Sequence, residues 1–406
     1  MMRIAHVTDH YHPRLGGIEM QVDDLAARQR AAGHDVHIIT SHPPAKAADG
    51  SWRPDPPWVH RVRGEIANQT IRPVVAGFSA PEILTPRSYD AVHMHASVLS
   101  PFTTMATRAA IRSRIPTTVT IHSLWAGLGP IPRLADLSMR LRSWPVVWTG
   151  VSHKAAAPLR RALGPNASVS VLPNGVDPAD WFTEPANRDP NTVVIASVMR
   201  LARRKRPMQL LRMLRQLRAI TPADIAIEAV IIGDGPMRSS LARYLNRHDM
   251  SAWVSLPGRL ERSDIRAVYG ATDIYVGPAI LESFGIAVLE ARCAGLPVVA
   301  SLLGGVPDFI HHGREGLLTA SDADMVDALA TLVTSPSLRD DISHHNRLTP
   351  PAVSWPEVLR KADLLYAEAA SLCSPRRTLL GVSDGAALDR RGEESRRDQF
   401  ASEAPM

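Results

Sequence analysis

Two glutamates in the stretch "LESFGIAVLEA", residues 281–291, are the first residues whose types and spacing suggest chemistry. Glu282 precedes an apolar run, and Glu290 lies within that run, so the Glu290 carboxylate is expected to be buried among apolar neighbours. An unpaired buried carboxylate is costly, and Glu290 therefore needs a cation or several hydroxyl donors. A ribose diol would supply hydroxyl donors, and an arginine would supply an internal ion pair. This segment leaves both hypotheses open.

The Ser-Phe-Gly turn at residues 283–285 is predicted to start a helix that runs to about Gly295, just before Pro297. The unpaired N–H groups at the start of a helix favour anionic oxygens. Glu282, immediately before the helix, could then reach a different part of the ligand that Glu290 binds.

Five cations crowd the loop "MRLARRKRP", residues 199–207, which follows a predicted strand and precedes a predicted helix. A strand end, a cationic loop and a helix N-terminus together favour a bound phosphate. Arg200 could grip that phosphate through two hydrogen bonds, and Lys205 could act as a point charge. The alternative interpretation is a solvated basic loop, or a nucleic-acid or localisation patch.

Glycines follow two predicted strands where the backbone could approach a ligand closely. Gly16 and Gly17, in "DHYHPRLGGIE", precede an amphipathic helix, so their N–H groups could face an anion. The pair does not form G-x-G-x-x-G, which argues against an ordinary dinucleotide site. Gly233, in "GDGPM", also permits close approach. A plain turn is the alternative interpretation for each motif.

Three histidines lie on or just after predicted strands. His122, in "TIHSL", follows a strand and could donate a hydrogen bond to a substrate oxygen, although a lone histidine is more often structural. His93 and His95, in "VHMH", lie on one face of a strand. A zinc site would need a third ligand, and the sequence does not identify one, so no metal site is predicted.

Placing these residues in one site requires strands that end near one another. Short β-branched runs alternate with helical patterns, which predicts βαβ units and parallel sheets. The predicted strands are 3–8, 35–40, 90–94, 117–121, 146–151, 168–172, 192–198, 225–232, 253–256, 273–276 and 297–301. The predicted helices include 18–32, 98–113, 153–163, 207–219 and 237–247.

The strand–helix pattern restarts after a stretch rich in Pro, Asn and Asp near 183–191. We therefore predict an α/β protein with two doubly wound Rossmann-like domains, 1–185 and 186–354, that face each other across a cleft. Ligands of such sheets bind outside the carboxyl ends of the strands, which makes the cleft the expected site. Residues 374–406 have mixed charge and no period, and are predicted to be disordered.

The composition fits an ordinary globular protein and excludes few functions. The chain has 406 residues and a formal net charge of +6, which suits anionic partners without choosing among them. Two cysteines cannot form a disulfide framework, so a reducing, cytoplasmic location is expected. The N-terminus does not read as a signal peptide, and the sequence contains no apolar stretch long enough to span a membrane.

Residues 131–144, "IPRLADLSMRLRSW", combine an apolar stripe with nearby arginines. Such a helix could make peripheral contact with an anionic membrane, on its inner face in a cytoplasmic protein. The alternative is a stripe that simply faces the core.

Several motifs occur together in the order of a known family. They are "GGIE", "LPNGVD", Arg200 with Lys205, "GDGP", "ESFG" with the two spaced glutamates, and "GGVPD". Over roughly residues 2 to 370 the chain resembles the retaining glycosyltransferases of family 4, which have the two-domain GT-B fold. One departure is Met199, which stands where the family often has glycine before the arginine.

The resemblance implies a role for each matching residue. Arg200 and Lys205 would hold the donor diphosphate, Glu290 would take the ribose hydroxyls, and His122 would hydrogen-bond the donor sugar. The residues expected to be catalytic are His122, Arg200, Lys205 and Glu282. The residues expected to bind the donor are Gly16, Gly17, Arg200, Lys205, Gly233, Glu282, Ser283, Phe284, Gly285 and Glu290. A last helix at 355–371 would cross back to the N-terminal domain.

The expected reaction moves a hexose, of the mannose or glucose type, from a GDP- or UDP-sugar to a hydroxyl of a lipid or glycan acceptor. Neither a cofactor nor a metal is expected for the chemistry, and nucleic acid is not an expected partner. The alternatives are a sugar-nucleotide epimerase or phosphorylase of the same fold, or a non-catalytic protein that binds sugar nucleotides.

Overall fold

Short runs of Ile, Val, Ala and Thr form two parallel sheets in the computed structural model. The structure describes residues 1–14, 16–46, 51–62, 72–97, 100–124, 140–164, 167–186, 189 and 191–373. The predicted disordered tail lies outside the described residues, as does all of the 131–144 segment except its last five residues. Within those five, a 3-10 turn at Leu141–Ser143 buries Leu141.

The first sheet has seven parallel strands in the order β3-β2-β1-β4-β5-β6-β7. Its strands are β1 (Arg3–Thr8), β2 (Asp35–Thr40), β3 (Val59–Arg61), β4 (Ala91–Ala96), β5 (Thr117–Ile121), β6 (Val147–Gly150) and β7 (Val169–Val171). In the central register, Ile4 lies between Val36 and Ala91. All six residues of β4 are buried, as expected for a sheet covered on both faces.

The helices around this sheet differ in how they begin. They are α1 (Gly17–Ala31), α2 (Arg72–Phe78), α3 (Ala80–Ile83), α4 (Pro101–Arg112), α5 (His153–Leu163) and α6 (Pro178–Trp181). The Ser152 hydroxyl caps α5 by accepting a hydrogen bond from Ala155 N. The Asp9 carboxylate, just after β1, accepts the N–H groups of Phe102 and Thr103 and so caps α4 from the neighbouring strand.

The second sheet has six parallel strands in the order β10-β9-β8-β11-β12-β13. Its strands are β8 (Thr192–Val198), β9 (Ala226–Ile232), β10 (Val254–Gly258), β11 (Ile274–Gly277), β12 (Val298–Ser301) and β13 (Gly316–Thr319). Its helices are α7 (Pro207–Ile220), α8 (Arg238–Arg247), α9 (Arg262–Gly270), α10 (Ile286–Cys293), α11 (Asp322–Thr334) and α12 (Pro336–Leu348). Together the two sheets confirm the predicted fold class.

The last helix, α13 (Trp355–Cys373), follows the second sheet in the chain but packs on the first. Val358 and Ala362 share an apolar cluster with Ile4 and Ala91 of the first sheet. Tyr366 from the same helix reaches the buried face of that sheet and hydrogen-bonds His93. No helix of the described residues is both long enough and apolar enough to cross a bilayer.

The helix that carries Glu290 begins later than the sequence predicted. The predicted start at residue 283 is wrong, because Gly285 adopts a left-handed φ of 99° and the helix begins at Ile286. The short strands β3 and β13 were also not predicted. Each has only three or four residues, which is too few for a periodic signal.

Candidate functional site

The basic loop and the glutamate before α10 meet directly. Lys205, in the 3-10 turn Arg203–Lys205, forms an ion pair with the Glu282 carboxylate. The Lys205 side chain is 34% exposed and that of Glu282 is 18% exposed, so the pair lies at the protein surface but is partly shielded. Because Glu282 restrains the ammonium group, the positive charge of Lys205 has a fixed position before any ligand arrives.

The other cations of the loop have different environments. Arg206 adopts a left-handed φ of 61° and pairs through two bonds, of 2.8 and 2.6 Å, with Asp322 at the start of α11. This ion pair holds the loop against the domain, so Arg206 is not available to a phosphate. Arg200 is exposed, and its side chain makes no hydrogen bond or ion pair with any residue that the structure describes. Of the two predicted phosphate ligands, Arg200 is therefore free and Lys205 is held.

Gly233 follows β9 and lies directly against the strand-end backbone at Met199. A Cβ at residue 233 would lie 1.9 Å from the Met199 carbonyl oxygen, and φ there is +134°. The Leu201 N–H also donates to the Asp234 carbonyl at 2.9 Å. Gly233 thus permits close approach to the backbone of the chain's own basic loop, residues 199–207. This contact explains the glycine without a ligand.

Substituting Gly233 with alanine is expected to lower the free energy of unfolding by about 3 kcal/mol, because the new methyl group clashes with a backbone oxygen and φ is strained. Gly313 is the matched control: it also has a positive φ, of 79°, but a Cβ there meets nothing within 4 Å. Gly313→Ala should cost only about 1 kcal/mol. Urea unfolding measures both, and equal losses would contradict the steric argument.

The "ESFG" loop rests on the "GGVPD" loop. Phe284 is 1% exposed and packs against Phe309 with 5.1 Å between the ring centroids. The Gly305 N–H donates to the Glu282 carbonyl at 2.8 Å, and a Cβ at Gly305 would lie 2.2 Å from the Ser283 carbonyl oxygen. Gly305 of "GGVPD" therefore permits a backbone contact that supports the Glu282 loop.

Residues of the first domain meet the start of α10 at the same place. A Cβ at Gly17 would lie 3.5 Å from Ile286 Cδ1, so Gly17 faces the first residue of that helix. The Ser152 hydroxyl donates to the Ser283 carbonyl at 2.6 Å. Gly16 has a more local constraint, since a Cβ there would lie 2.6 Å from the buried Glu19 carboxylate. Gly17 and Ser152 of the first domain are thus brought next to residues 283–286.

Glu290 lies in a crevice between α1, α9 and α10. It is 7% exposed, and its carboxylate makes no hydrogen bond or ion pair with a described residue. Burial raises the pKa of Glu290 to about 8, although the nearby Arg262 charge acts in the opposite direction. Arg262 is paired instead with Asp24 of α1, through bonds of 3.2 and 2.6 Å. The internal ion pair considered for Glu290 is therefore not formed.

His122 lies at the end of β5, two residues before Leu124, which clusters with Phe284 of the Glu282 loop. It is 7% exposed, and burial lowers its pKa to about 4, so the ring is neutral near pH 7. Nε2 of His122 lies 2.9 Å from Nδ1 of His95. Nδ1 of His122 has no hydrogen-bond partner among the described residues.

The sequence reasoning missed the third histidine beside His93 and His95. His6 of β1 comes within reach, and one nitrogen from each of the three rings lies within 4.8 Å of the others. The signal was a buried histidine in the strand that pairs with β4, but strand order is needed to use it. Both nitrogens of every ring already have a hydrogen-bond partner, so these rings are not organised to bind a metal.

Two pairings between the domains were not predicted. Asp308 accepts the His153 N–H at 2.8 Å, and Arg262 bridges to Asp24 across the crevice beside Glu290. These pairs join residues far apart in the chain, and neither has a local sequence signal.

Comparisons with known proteins identify the family over both halves of the chain. Residues 15–180 match the family described as "Glycosyltransferase Family 4", and residues 181–349 match "Glycosyl transferases group 1". A phosphatidylinositol N-acetylglucosaminyltransferase subunit of Arabidopsis thaliana is 27% identical over 93% of this chain and 84% of its own length. A GDP-mannose-dependent alpha-(1-6)-phosphatidylinositol monomannoside mannosyltransferase of Mycobacterium tuberculosis is 27% identical over 82% of this chain and 88% of its own.

Solved structures show the same fold at low sequence identity. Anabaena HepE in complex with UDP and glucose has a TM-score of 0.69 and 17% identity, covering 90% of this chain and 100% of that one. Sucrose-phosphate synthase from Thermosynechococcus elongatus has a TM-score of 0.72 and 18% identity, covering 91% and 100%. The two family matches adjoin and extend over both domains, with the family's motifs in order. The chain therefore belongs to glycosyltransferase family 4 and has the GT-B fold.

Proposed function

We propose that the chain is a retaining hexosyltransferase that uses a GDP- or UDP-sugar and glycosylates a hydroxyl of a membrane lipid. The observation that carries the proposal is one loop and the helix that follows it, α10, which hold two carboxylates in different surroundings. Glu282 is paired with Lys205, and Glu290 is buried without a partner among the described residues. Such a segment suits a ligand with a phosphate group near one carboxylate and hydroxyl donors near the other.

The donor would lie along this segment with its diphosphate beside Arg200 and Lys205. The N–H groups at the start of α10 would face the same phosphates, and Gly17 would approach them from the other domain. The ribose hydroxyls would donate to Glu290, while the sugar would face Glu282 and His122. Positive charge held in place at the leaving group is the term that usually dominates catalysis of this kind. The two cations would supply it without a metal.

Retention is proposed to proceed without a covalent enzyme intermediate. The bond from the anomeric carbon to the diphosphate oxygen breaks while the acceptor oxygen forms its bond on the same face, and a diphosphate oxygen takes the acceptor proton. Two carboxylates are already engaged and so are poor nucleophiles: Glu282 is paired with Lys205, and Asp9 accepts two backbone N–H groups at the start of α4. This contrasts with retaining glycosidases, in which a free carboxylate attacks.

The proposed acceptor is an inositol phospholipid. Both relatives described above carry phosphatidylinositol in their names, and one name specifies GDP-mannose as donor. A net charge of +6 favours association with anionic lipid surfaces. GDP-mannose is therefore the proposed donor to test first, with the enzyme acting at the membrane surface.

The test is a transfer assay with the full chain, vesicles containing phosphatidylinositol, and GDP-mannose, UDP-glucose or UDP-N-acetylglucosamine, with chelator present. We expect one donor to give a glycolipid whose anomeric configuration, read by NMR, equals that of the donor. An inverted product would contradict retention, and activity only with added metal would contradict metal-free chemistry. Epimerised donor, phosphorolysis, or binding without turnover would instead support the epimerase, phosphorylase or non-catalytic alternatives.

A further inference from the structure

Nine residues of the first domain and α13 form one continuous series of buried hydrogen bonds that ends at His122. We name this series the buried relay. Its members in order are Val119, Thr149, Thr120, His93, Tyr366, Gln29, His6, His95 and His122. Each of the eight side chains is at most 7% exposed, so their hydrogen-bond partners are other protein groups and not bulk water.

The donor-to-acceptor direction of the hydrogen bonds in the buried relay is determined at the Val119 end. The Val119 carbonyl can only accept, so the Thr149 hydroxyl donates to it at 3.3 Å. Thr149 must then accept from the Thr120 hydroxyl at 2.6 Å, and Thr120 must accept from His93 Nε2 at 2.7 Å. A neutral imidazole carries one proton, so His93 Nδ1 is left as an acceptor.

The hydrogen-bond direction continues through Tyr366 of the last helix, α13. Tyr366 donates its hydroxyl proton to His93 Nδ1 at 2.9 Å and accepts from the Gln29 amide NH₂ at 3.1 Å. The Gln29 carbonyl oxygen therefore faces His6, and it accepts from His6 Nε2 at 2.6 Å. His6 Nδ1 is consequently an acceptor.

The last two hydrogen bonds of the buried relay have the same donor-to-acceptor direction and end at His122. His95 Nε2 donates to His6 Nδ1 at 2.9 Å, and His122 Nε2 donates to His95 Nδ1 at 2.9 Å. Reversing the Gln29 amide would reverse every bond from His6 to His122 and move the His122 proton to Nδ1. Which nitrogen of His122 carries the proton therefore depends on Gln29 and Tyr366, neither of which hydrogen-bonds His122 directly.

We propose that the buried relay holds His122 in the tautomer with its proton on Nε2, so that Nδ1 accepts a hydrogen bond from a hydroxyl of the bound substrate. Gln29 and Tyr366 are then positioning residues that act through His6 and His95. Burial lowers the pKa values of all four histidines, which agrees with one proton on each ring. The inference rests on the proposed function only in assigning that hydroxyl to the donor sugar.

The first measurement is ¹⁵N NMR on the full chain labelled at histidine, without any substrate. We expect His122, identified by the signals lost in His122→Gln, to be protonated at Nε2 and unprotonated at Nδ1. A proton on Nδ1 of His122 would overturn the proposal. This result does not depend on transferase activity, so a chain that transfers no sugar would remove the proposed function and leave the tautomer assignment standing.

The second measurement uses Tyr366→Phe, which keeps the ring but removes the hydroxyl that orients the Gln29 amide. His122 should then show both tautomers, and kcat/KM should fall about fivefold to tenfold, the equivalent of one hydrogen bond. Tyr89→Phe is the matched control, because Tyr89 is buried in the same domain and its hydroxyl has no hydrogen-bond partner among the described residues. The control should change neither readout.

Two outcomes of the variant experiments would contradict the relay. A folded Tyr366→Phe chain with an unchanged single His122 tautomer would show that the relay does not determine it. A shift of the His6, His93 and His95 signals on stoichiometric Zn²⁺ would show that these rings bind metal instead of the hydrogen bonds assigned to them. If Tyr366→Phe does not fold, the wild-type tautomer decides the question.

Discussion

Replacing Lys205 with alanine is expected to lower kcat by about 10²- to 10³-fold, the usual effect of losing one group that stabilises developing charge. The ammonium group is held by Glu282 at the proposed leaving-group site. Arg206 is engaged with Asp322, and Arg200 lies five residues earlier in the loop. Initial-rate kinetics with the preferred donor measure the loss.

The matched control for Lys205→Ala is Arg203→Ala. Arg203 lies in the same 3-10 turn and is exposed, and its side chain has no hydrogen bond or ion pair to a described residue. Its replacement by alanine therefore changes the net charge by the same amount. It should retain nearly all activity. Because the Lys205–Glu282 pair is partly exposed, its loss should lower the free energy of unfolding by only about 1 kcal/mol or less. Near-normal turnover by a folded Lys205→Ala chain would refute the role of Lys205.

Replacing Glu290 with glutamine is expected to weaken nucleotide binding by about 10- to 100-fold, because two charge-assisted hydrogen bonds to ribose hydroxyls become weaker or are lost. Isothermal titration calorimetry with GDP or UDP measures the change. Glu228→Gln is the charge control, since Glu228 is exposed on β9 and should leave affinity unchanged. Unchanged affinity in Glu290→Gln would contradict the ribose assignment.

Glu290 also predicts a pH dependence of stability. Its folded pKa of about 8 lies above its ordinary value of 4.5, so between these pH values only the folded state holds the proton. The stabilisation is complete below about pH 4.5 and is lost as pH rises through about 8, at about 1.4 kcal/mol per pH unit. Glu290→Gln should remove this decline in urea unfolding experiments at several pH values. An identical decline in both proteins would mean that another group is responsible.

The same ionisation should appear in nucleotide binding. The ionised carboxylate accepts both hydroxyls, so wild-type affinity should rise with pH up to about 8 and then level off. Affinity of Glu290→Gln should stay flat over that range. Calorimetry in buffers of different ionisation enthalpy would show proton release only for the wild type.

Most of the fold could be predicted because its strands and helices are strongly periodic. The predicted strands 3–8, 35–40, 117–121 and 192–198 have the bounds observed, and the two parallel sheets follow from their alternation with helices. The start of the Glu290 helix could not be placed, because it depends on the positive φ of Gly285, where a Cβ would also lie 3.0 Å from the Val306 side chain. Short edge strands such as β3 lacked enough residues to show a period.

The candidate site was predicted in outline, and its pairings were not. The sequence by itself determined the spaced glutamates, the cationic loop, the glycine pair and the expectation of a buried Glu290. Only the tertiary structure decided that Lys205 is held by Glu282, that Arg206 is engaged with Asp322, and that Glu290 lacks the ion pair considered for it. It also decided that His6 joins His95, and that Tyr366 reaches Gln29 over a separation of 337 residues. Periodicity reports which face of an element is buried, whereas these contacts depend on strand order and on where the last helix returns, which no local pattern encodes.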